Sequence, residues 1–164
     1  MQARRLLPGL VGTAIVLTVF TAGAAYAHYA YGAGTVYESS IDCTWIRSEV
    51  SHGDGNGYYK GNVEVKRNFG DMHCGERWSR PAGNVRIHLH GMKRVGSTWA
   101  ACWGTSPYWK YNSSSTSKLE SIVRPTKAPA CGAGTYRTDS SGAGYNGAWH
   151  GGTVLSGEGH RLPT

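Results

Sequence analysis

Four cysteines, Cys43, Cys74, Cys102 and Cys131, stand at wide and nearly even intervals behind an apolar N-terminal stretch. This arrangement constrains the chain most, because it ties the compartment to the fold. Arg4 and Arg5 precede Leu6 to Ala25, a run without charge, and Ala25-Tyr26-Ala27 has the small-x-small pattern at which signal peptidase cuts. Residues 1–27 are therefore predicted to be a signal peptide, the mature chain to begin at His28, and the protein to be secreted and extracellular. A retained anchor is the alternative, but Pro8, Gly9, Gly12 and Gly23 weaken a long helix, so no membrane association is expected after cleavage. In an oxidising exterior an even set of cysteines reads as two disulfides. All three pairings are open; Cys43–Cys74 with Cys102–Cys131 is favoured, since each closes a local loop and neither crosses the other. Each such loop would stabilise by roughly 3–4 kcal/mol. Zinc is disfavoured as the alternative, because no C-x-x-C pair is present.

Without the leader the chain loses two arginines and no acid, so its formal charge falls from +7 to about +5. That charge is spread along the chain rather than clustered, which argues against nucleic acid as a partner. The remaining length suits one domain with its own core. Residues 28–42 read as an N-terminal lead or strap, with His28 to Gly34 rich in tyrosine and glycine, and residues 43–164 as a single disulfide-stapled β domain. Tyr29 and Tyr31 in the lead are candidate contact residues, by addition of a strand to a partner's open edge; a frayed terminus is the plainer reading.

Strand patterning dominates. Ile46 and Val50 alternate with Trp45, Arg47 and Glu49; Asp54-Gly55-Asn56-Gly57 is strong turn chemistry; Val63 and Val65 alternate with Asn62, Glu64 and Lys66. A β-hairpin is predicted over 44–69. Val85, Ile87 and Leu89 alternate with Arg86, His88 and His90, the pattern of a sheet with one buried and one wet face. A further strand follows around Cys102, with the turn placed between Gly91 and Gly96. Ser117-Lys118-Leu119-Glu120 resembles a capping box, and Leu119, Ile122 and Val123 fit a short helix ending before Pro125, or else an extended segment. Near the C-terminus, Thr135 to Thr138 reads as a strand, Asn146-Gly147 as a hairpin turn between Tyr145 and Trp149, Gly151-Gly152 as a break, and Thr153 to Ser156 as a last strand. The fold class predicted is all-β: an antiparallel β-sandwich or barrel with two disulfides and at most one short helix.

Catalytic constellations are missing from the sequence. There is no G-x-S-x-G elbow and no H-E-x-x-H, and the few carboxylates form no readable pair. His88-x-His90 puts two imidazoles on one strand face, and His73, His150 or His160 could complete a metal site, but Arg86 beside them disfavours a cation. No enzyme activity, metal or cofactor is expected. Aromatic residues are in surplus for a small core. Trp109-Lys110-Tyr111 and the hairpin residues Tyr145, Trp149 and His150 are the candidate binding residues, since such rings anchor protein interfaces and stack on sugars. About half of the aromatics should instead form the core, because aliphatic residues are scarce.

The A-C-W-G-T-S-P-Y-W-K-Y-N run at 101–112 and the C-G-x-G-x-Y-R-T…W-H-G-G…S-G-x-x-H-x-L-P ending, with the leader and four cysteines, resemble a group of small exported actinobacterial proteins to which no active site is attached. In size, export and the lead His28–Gly34, the chain is also similar to the small adaptor subunit of secreted umbrella toxin particles. That resemblance implies a compact domain joining a lectin-like subunit to a toxin scaffold. Trp109-Lys110-Tyr111 is similar to the Trp-Arg-Tyr triplet of exported amylase inhibitors, two-disulfide β-sandwiches, although lysine does not replace the guanidinium fork. The expected function is non-enzymatic protein binding, as an adaptor in an extracellular, toxin-like assembly. The alternatives are carbohydrate or cell-wall binding through Trp109, Tyr111, Tyr145 and Trp149, and inhibition of a secreted hydrolase.

Overall fold

The computed structural model describes residues 29–51, 58–68, 74–104, 109–124, 134–157 and 160–162. Among them the chain forms strands and turns and no helix. The clearest sequence alternation makes the central pairs. β2 (Asp42–Ser51) and β3 (Tyr58–Asn68) form the hairpin expected over 44–69, in register from Asp42 opposite Arg67 to Ser51 opposite Tyr58; its turn lies outside the described residues. β1 (Tyr29–Glu38) pairs with β2 from Tyr29 opposite Ser51 to Glu38 opposite Cys43, so most of the stretch expected as a strap is a sheet edge. β4 (Cys74–Arg77) and β8 (Lys118–Val123) also pair with β3 and complete the first sheet.

The second sheet runs in the order β10-β9-β5-β6, with β7 on β5 and β11 on β9. Its members are β5 (Val85–Val95), β6 (Thr98–Gly104), β7 (Lys110–Tyr111), β9 (Gly134–Tyr145), β10 (Trp149–Leu155) and β11 (His160–Leu162). All pairings in both sheets are antiparallel, and they do not close into a barrel.

The sheets meet through one apolar cluster. Ile46, Val63, Val65 and Leu119 from the first pack against Val85, Ile87 and Leu89 from the second. Full burial of such a side chain stabilises by roughly 1.5–3 kcal/mol, so a carboxylate at Ile87 would break the fold at its centre. Room for this packing comes from β9: a Cβ at Gly142 would sit 2.8 Å from Val63, and one at Gly144 2.7 Å from Val65. A second cluster joins Val50, Tyr59 and Tyr136, flanked by Ala30 and Cys102. The seam between β2 and β9 is polar yet fully bonded. Ser48 Oγ donates to the Thr138 carbonyl (2.7 Å), Thr138 Oγ1 to the Glu49 carbonyl (2.7 Å), and Ser140 Oγ to Ser48 Oγ (2.9 Å).

Several local expectations are corrected. The stretch after Ser117, open between a short helix and an extended segment, is the extended one, β8. Its residues Lys118 to Val123 find backbone partners from Glu64 to Tyr59 on β3, which a stretch barely two helical turns long cannot match alone. The turn placed between Gly91 and Gly96 sits at Gly96-Ser97, because β5 continues to Val95 through a bulge at Gly91/Met92. Gly151-Gly152 does not break the chain; β10 runs through both, held by β9. The strand expected at 135–138 extends to Tyr145. The turn at Asn146-Gly147 is as expected, with Gly147 at φ 76° and Trp149 opposite Tyr145.

Cys43 and Cys74 form a disulfide, which is consistent with an oxidising environment. Cys102 is also disulfide-bonded; its expected partner, Cys131, lies outside the described residues.

Candidate functional site

Side chains on β5 alternate between the core and the outside, so the inward positions of Val85, Ile87 and Leu89 place Arg86, His88 and His90 on the outer face of the second sheet. Register then decides their neighbours. Arg86 stands opposite Ala143 on β9 and Tyr111 on β7; His88 stands opposite Ser141; Gly151 and Thr153 of β10 lie beyond Ala143 and Ser141. A floor of small residues therefore runs along β9 and β10, bordered by Arg86 and large rings.

The Arg86 guanidinium packs against two indoles, 4.3 Å from the ring centre of Trp109 and 4.1 Å from that of Trp149. Trp149 also meets Tyr145 (5.4 Å) and Tyr111 (5.9 Å) edge to face. Arg86 Nε is buried and without a hydrogen-bond partner, and Arg86 makes no ion pair among the described residues. Between the rings opens a cleft of about 260 Å³, lined by Arg86, Trp109 and Trp149 over Ser141, Ala143, Gly151 and Thr153. Ser141 Oγ and Thr153 Oγ1 lie 2.8 Å apart on its floor.

Four of the candidate binding residues, Trp109, Tyr111, Tyr145 and Trp149, thus gather in one place. The other four do not. Lys110 turns to the sheet edge, where its Nζ donates to the Glu120 carbonyl at 2.8 Å. Tyr29 and Tyr31 belong to the first sheet, with Tyr31 56% exposed and the Arg47 guanidinium 4.7 Å from its ring centre. Arg47 also donates to Tyr29 Oη at 2.5 Å. His150 alternates with Trp149 and points away from the cleft. Its ring stacks on Tyr37 at 4.3 Å and its Nδ1 lies 3.3 Å from Asp42 Oδ2.

Asp42 is the centre of that second cluster. Its buried carboxylate accepts from Arg80 at 3.1 Å and from Ser39 Oγ at 2.7 Å. Burial pulls the Arg80 guanidinium below its ordinary range, and the Asp42 charge opposes that pull. The Trp78 ring, 3.4 Å from the guanidinium carbon, covers it. The hydroxyls of the cluster are already engaged, Ser39 Oγ with the Asp42 carboxylate and Thr44 Oγ1 with the His150 carbonyl, and its geometry is that of a structural tie.

His88 and His90 lie edge to face at 4.3 Å, and His88 is 5.6 Å from Trp109. Among the described residues no three histidine, cysteine or acidic side chains come together as a metal site. His150 faces Asp42 instead, and His73 lies outside the described residues.

The two outer faces differ in charge. On the first sheet, Arg47 pairs with Glu49 (2.7 Å), Lys60 with Glu120 (3.0 Å) and Arg77 with Glu64 (3.1 Å), so these charges neutralise one another. On the second, Asp139 is held by two Arg137 nitrogens, at 2.8 and 3.1 Å, and no acid lines the cleft. Arg86 was not among the expected site residues, although its alternation with Ile87 already placed it on the wet face.

Fold and site together define an all-β, disulfide-linked protein of two antiparallel sheets with an arginine-centred aromatic cleft on one outer face. No family model, no curated protein and no solved structure matches the chain.

Proposed function

We propose that this is a secreted, non-enzymatic binding protein, a two-sheet sandwich with Cys102–Cys131 as its second disulfide, which holds a carbohydrate in the cleft of the second sheet. One observation carries the reading: Trp109 and Trp149 flank a floor of small residues, leaving ring-sized room beside indole surfaces. Sugars present C–H faces that stack on such rings, and their hydroxyls exchange hydrogen bonds with groups like Ser141 and Thr153. Retention on insoluble polysaccharides and peptidoglycan tests it. The wild type should be retained by at least one of them. A variant carrying Trp109→Ala and Trp149→Ala should lose at least tenfold in affinity while keeping its far-UV circular dichroism. Retention of both forms alike, or of neither, would overturn the reading.

A second reading, an adaptor in an extracellular protein assembly, is favoured by a different observation. Tyr29 and Tyr31 form an aromatic pair (5.8 Å) on the edge strand β1, with Arg47 of β2 beside them, residue types that dominate protein interfaces. A defined complex in the culture medium, lost on Tyr31→Ala, is its expected signature; a lone monomer under native conditions would sink it.

A further inference from the structure

We infer that the sugar held in the cleft carries a carboxylate, as a uronic acid does, and that Arg86 is the residue that reads it. The inference rests on the carbohydrate reading above and adds the chemical class of the ligand.

Charge is the first argument. An arginine on a sheet face ordinarily finds an acid or stays in water. Arg86 does neither in full: its Nε is buried and unpartnered, and the only acid on the neighbouring outer positions of β9, Asp139, is already engaged by two nitrogens of Arg137. The cleft therefore offers a positive charge with no negative one lining it. A neutral sugar would cover that charge without compensating it, at a desolvation cost. An acidic sugar supplies the missing partner.

Shape is the second. Two indoles pack against the guanidinium, their ring centres 4.3 and 4.1 Å from its carbon, and such stacking uses its π-face rather than its N–H edge. That edge is a planar fork of N–H donors, and a planar carboxylate meets it with two parallel hydrogen bonds. The same indoles hold the fork in place, so little side-chain freedom is lost on binding. Ser141 and Thr153 share one hydrogen bond between two hydroxyls, which leaves one hydroxyl proton to donate to the ligand. The volume, about 260 Å³, falls below the roughly 300–1,000 Å³ filled by drug-sized ligands and suits a single ring.

The experiment compares four probes by isothermal titration calorimetry: a tetragalacturonate, its fully methyl-esterified form, a sulfated galactan oligosaccharide of equal length, and an acidic tetrapeptide. The acid should bind at least tenfold more tightly than its ester, and its affinity should fall as salt is raised. Arg86→Gln should bring the acid down to the level of the ester. Arg86→Lys should recover little, because an ammonium cannot form the fork. Thermal melts of both variants must match the wild type within a few degrees. Equal binding of acid and ester, with both lost in the Trp109/Trp149 variant, would overturn this inference and leave the carbohydrate reading standing. Tighter binding of the sulfated probe, or binding of an acidic peptide but of no sugar, would overturn it as well. In the peptide case the carbohydrate reading falls too.

Discussion

Asp42 and His150 stand at opposite ends of the chain and meet at 3.3 Å. The contact joins the first strand of one hairpin to the second strand of another, and it crosses from sheet to sheet. Thr44, two residues on from Asp42, repeats the tie with Oγ1 donating to the His150 carbonyl at 2.8 Å. Arg80 closes the cluster from a third segment, its side chain 7% exposed against 3% for that of Asp42.

Removing Asp42 should therefore cost far more than removing His150. Asp42→Ala leaves Arg80 buried and unpaired, a situation that costs about 3–5 kcal/mol. His150→Ala leaves the Asp42–Arg80 pair intact and loses one hydrogen bond and a ring contact, about 1–2 kcal/mol. Urea denaturation of the two variants checks the order; equal losses would show that the histidine, not the arginine, is the carboxylate's main partner.

Two glycines in β1, two residues apart, should respond oppositely to alanine. A Cβ at Gly32 would fall 1.9 Å from the Leu155 carbonyl oxygen, whereas nothing lies within 4 Å of one at Gly34. Gly32→Ala must push β1 away from β10 and should cost about 1–3 kcal/mol. Gly34→Ala should be neutral or stabilising by about 0.5 kcal/mol, through the entropy of the unfolded chain. Thermal melts followed by circular dichroism distinguish them.

The same glycines mark where the fold stopped being legible. β2, β3 and β5 could be read because Ile46, Val63, Val65, Ile87 and Leu89 are β-branched or aliphatic at every second position. β9 could be read only as far as Thr138, because its inward positions from there on are Thr138, Ser140, Gly142 and Gly144. Two of these are satisfied by bonds to the other sheet, and two make room for valines that only the tertiary fold brings near. β8 resembled a helix since Leu119, Ile122 and Val123 fit both periods; in the sheet Leu119 is buried and Ile122 is 39% exposed. The rings of the cleft were visible as a surplus of aromatics. Their meeting around Arg86 depends on register, which no local pattern encodes.

Tyr59 should set an alkaline limit to stability. Burial pushes its phenol well above the ordinary range, and Tyr136 beside it is raised for the same reason. Both stay protonated in the fold while the unfolded chain ionises near pH ~10. Their contribution is fully present below about pH 10 and is lost as pH rises toward the folded values. Tyr59 Oη is moreover buried without a hydrogen-bond partner. Tyr59→Phe should therefore gain roughly 1 kcal/mol at neutral pH, by removing an unsatisfied hydroxyl, and should flatten the loss above pH ~10. Denaturant midpoints at pH 7 and pH 11 measure both effects; a destabilised phenylalanine variant would mean the hydroxyl has a partner in solution.

Asn112 links stability to the cleft. Its side chain is 5% exposed and fully spent: Oδ1 accepts from the Val85 N–H at 2.7 Å, and Nδ2 donates to the carbonyls of Pro81 (2.8 Å) and Ser114 (2.7 Å). It follows β7 directly, so it holds Tyr111 and Trp109 against β5. Asn112→Asp keeps the shape but turns the donor into a carboxylate oxygen facing two carbonyls, which should cost about 2–4 kcal/mol. Because the loss falls on the strand that directly follows Trp109, ligand affinity should drop together with the midpoint of urea unfolding. Asn112→Asp with wild-type affinity and lowered stability would show that the cleft rings hold their places without β7.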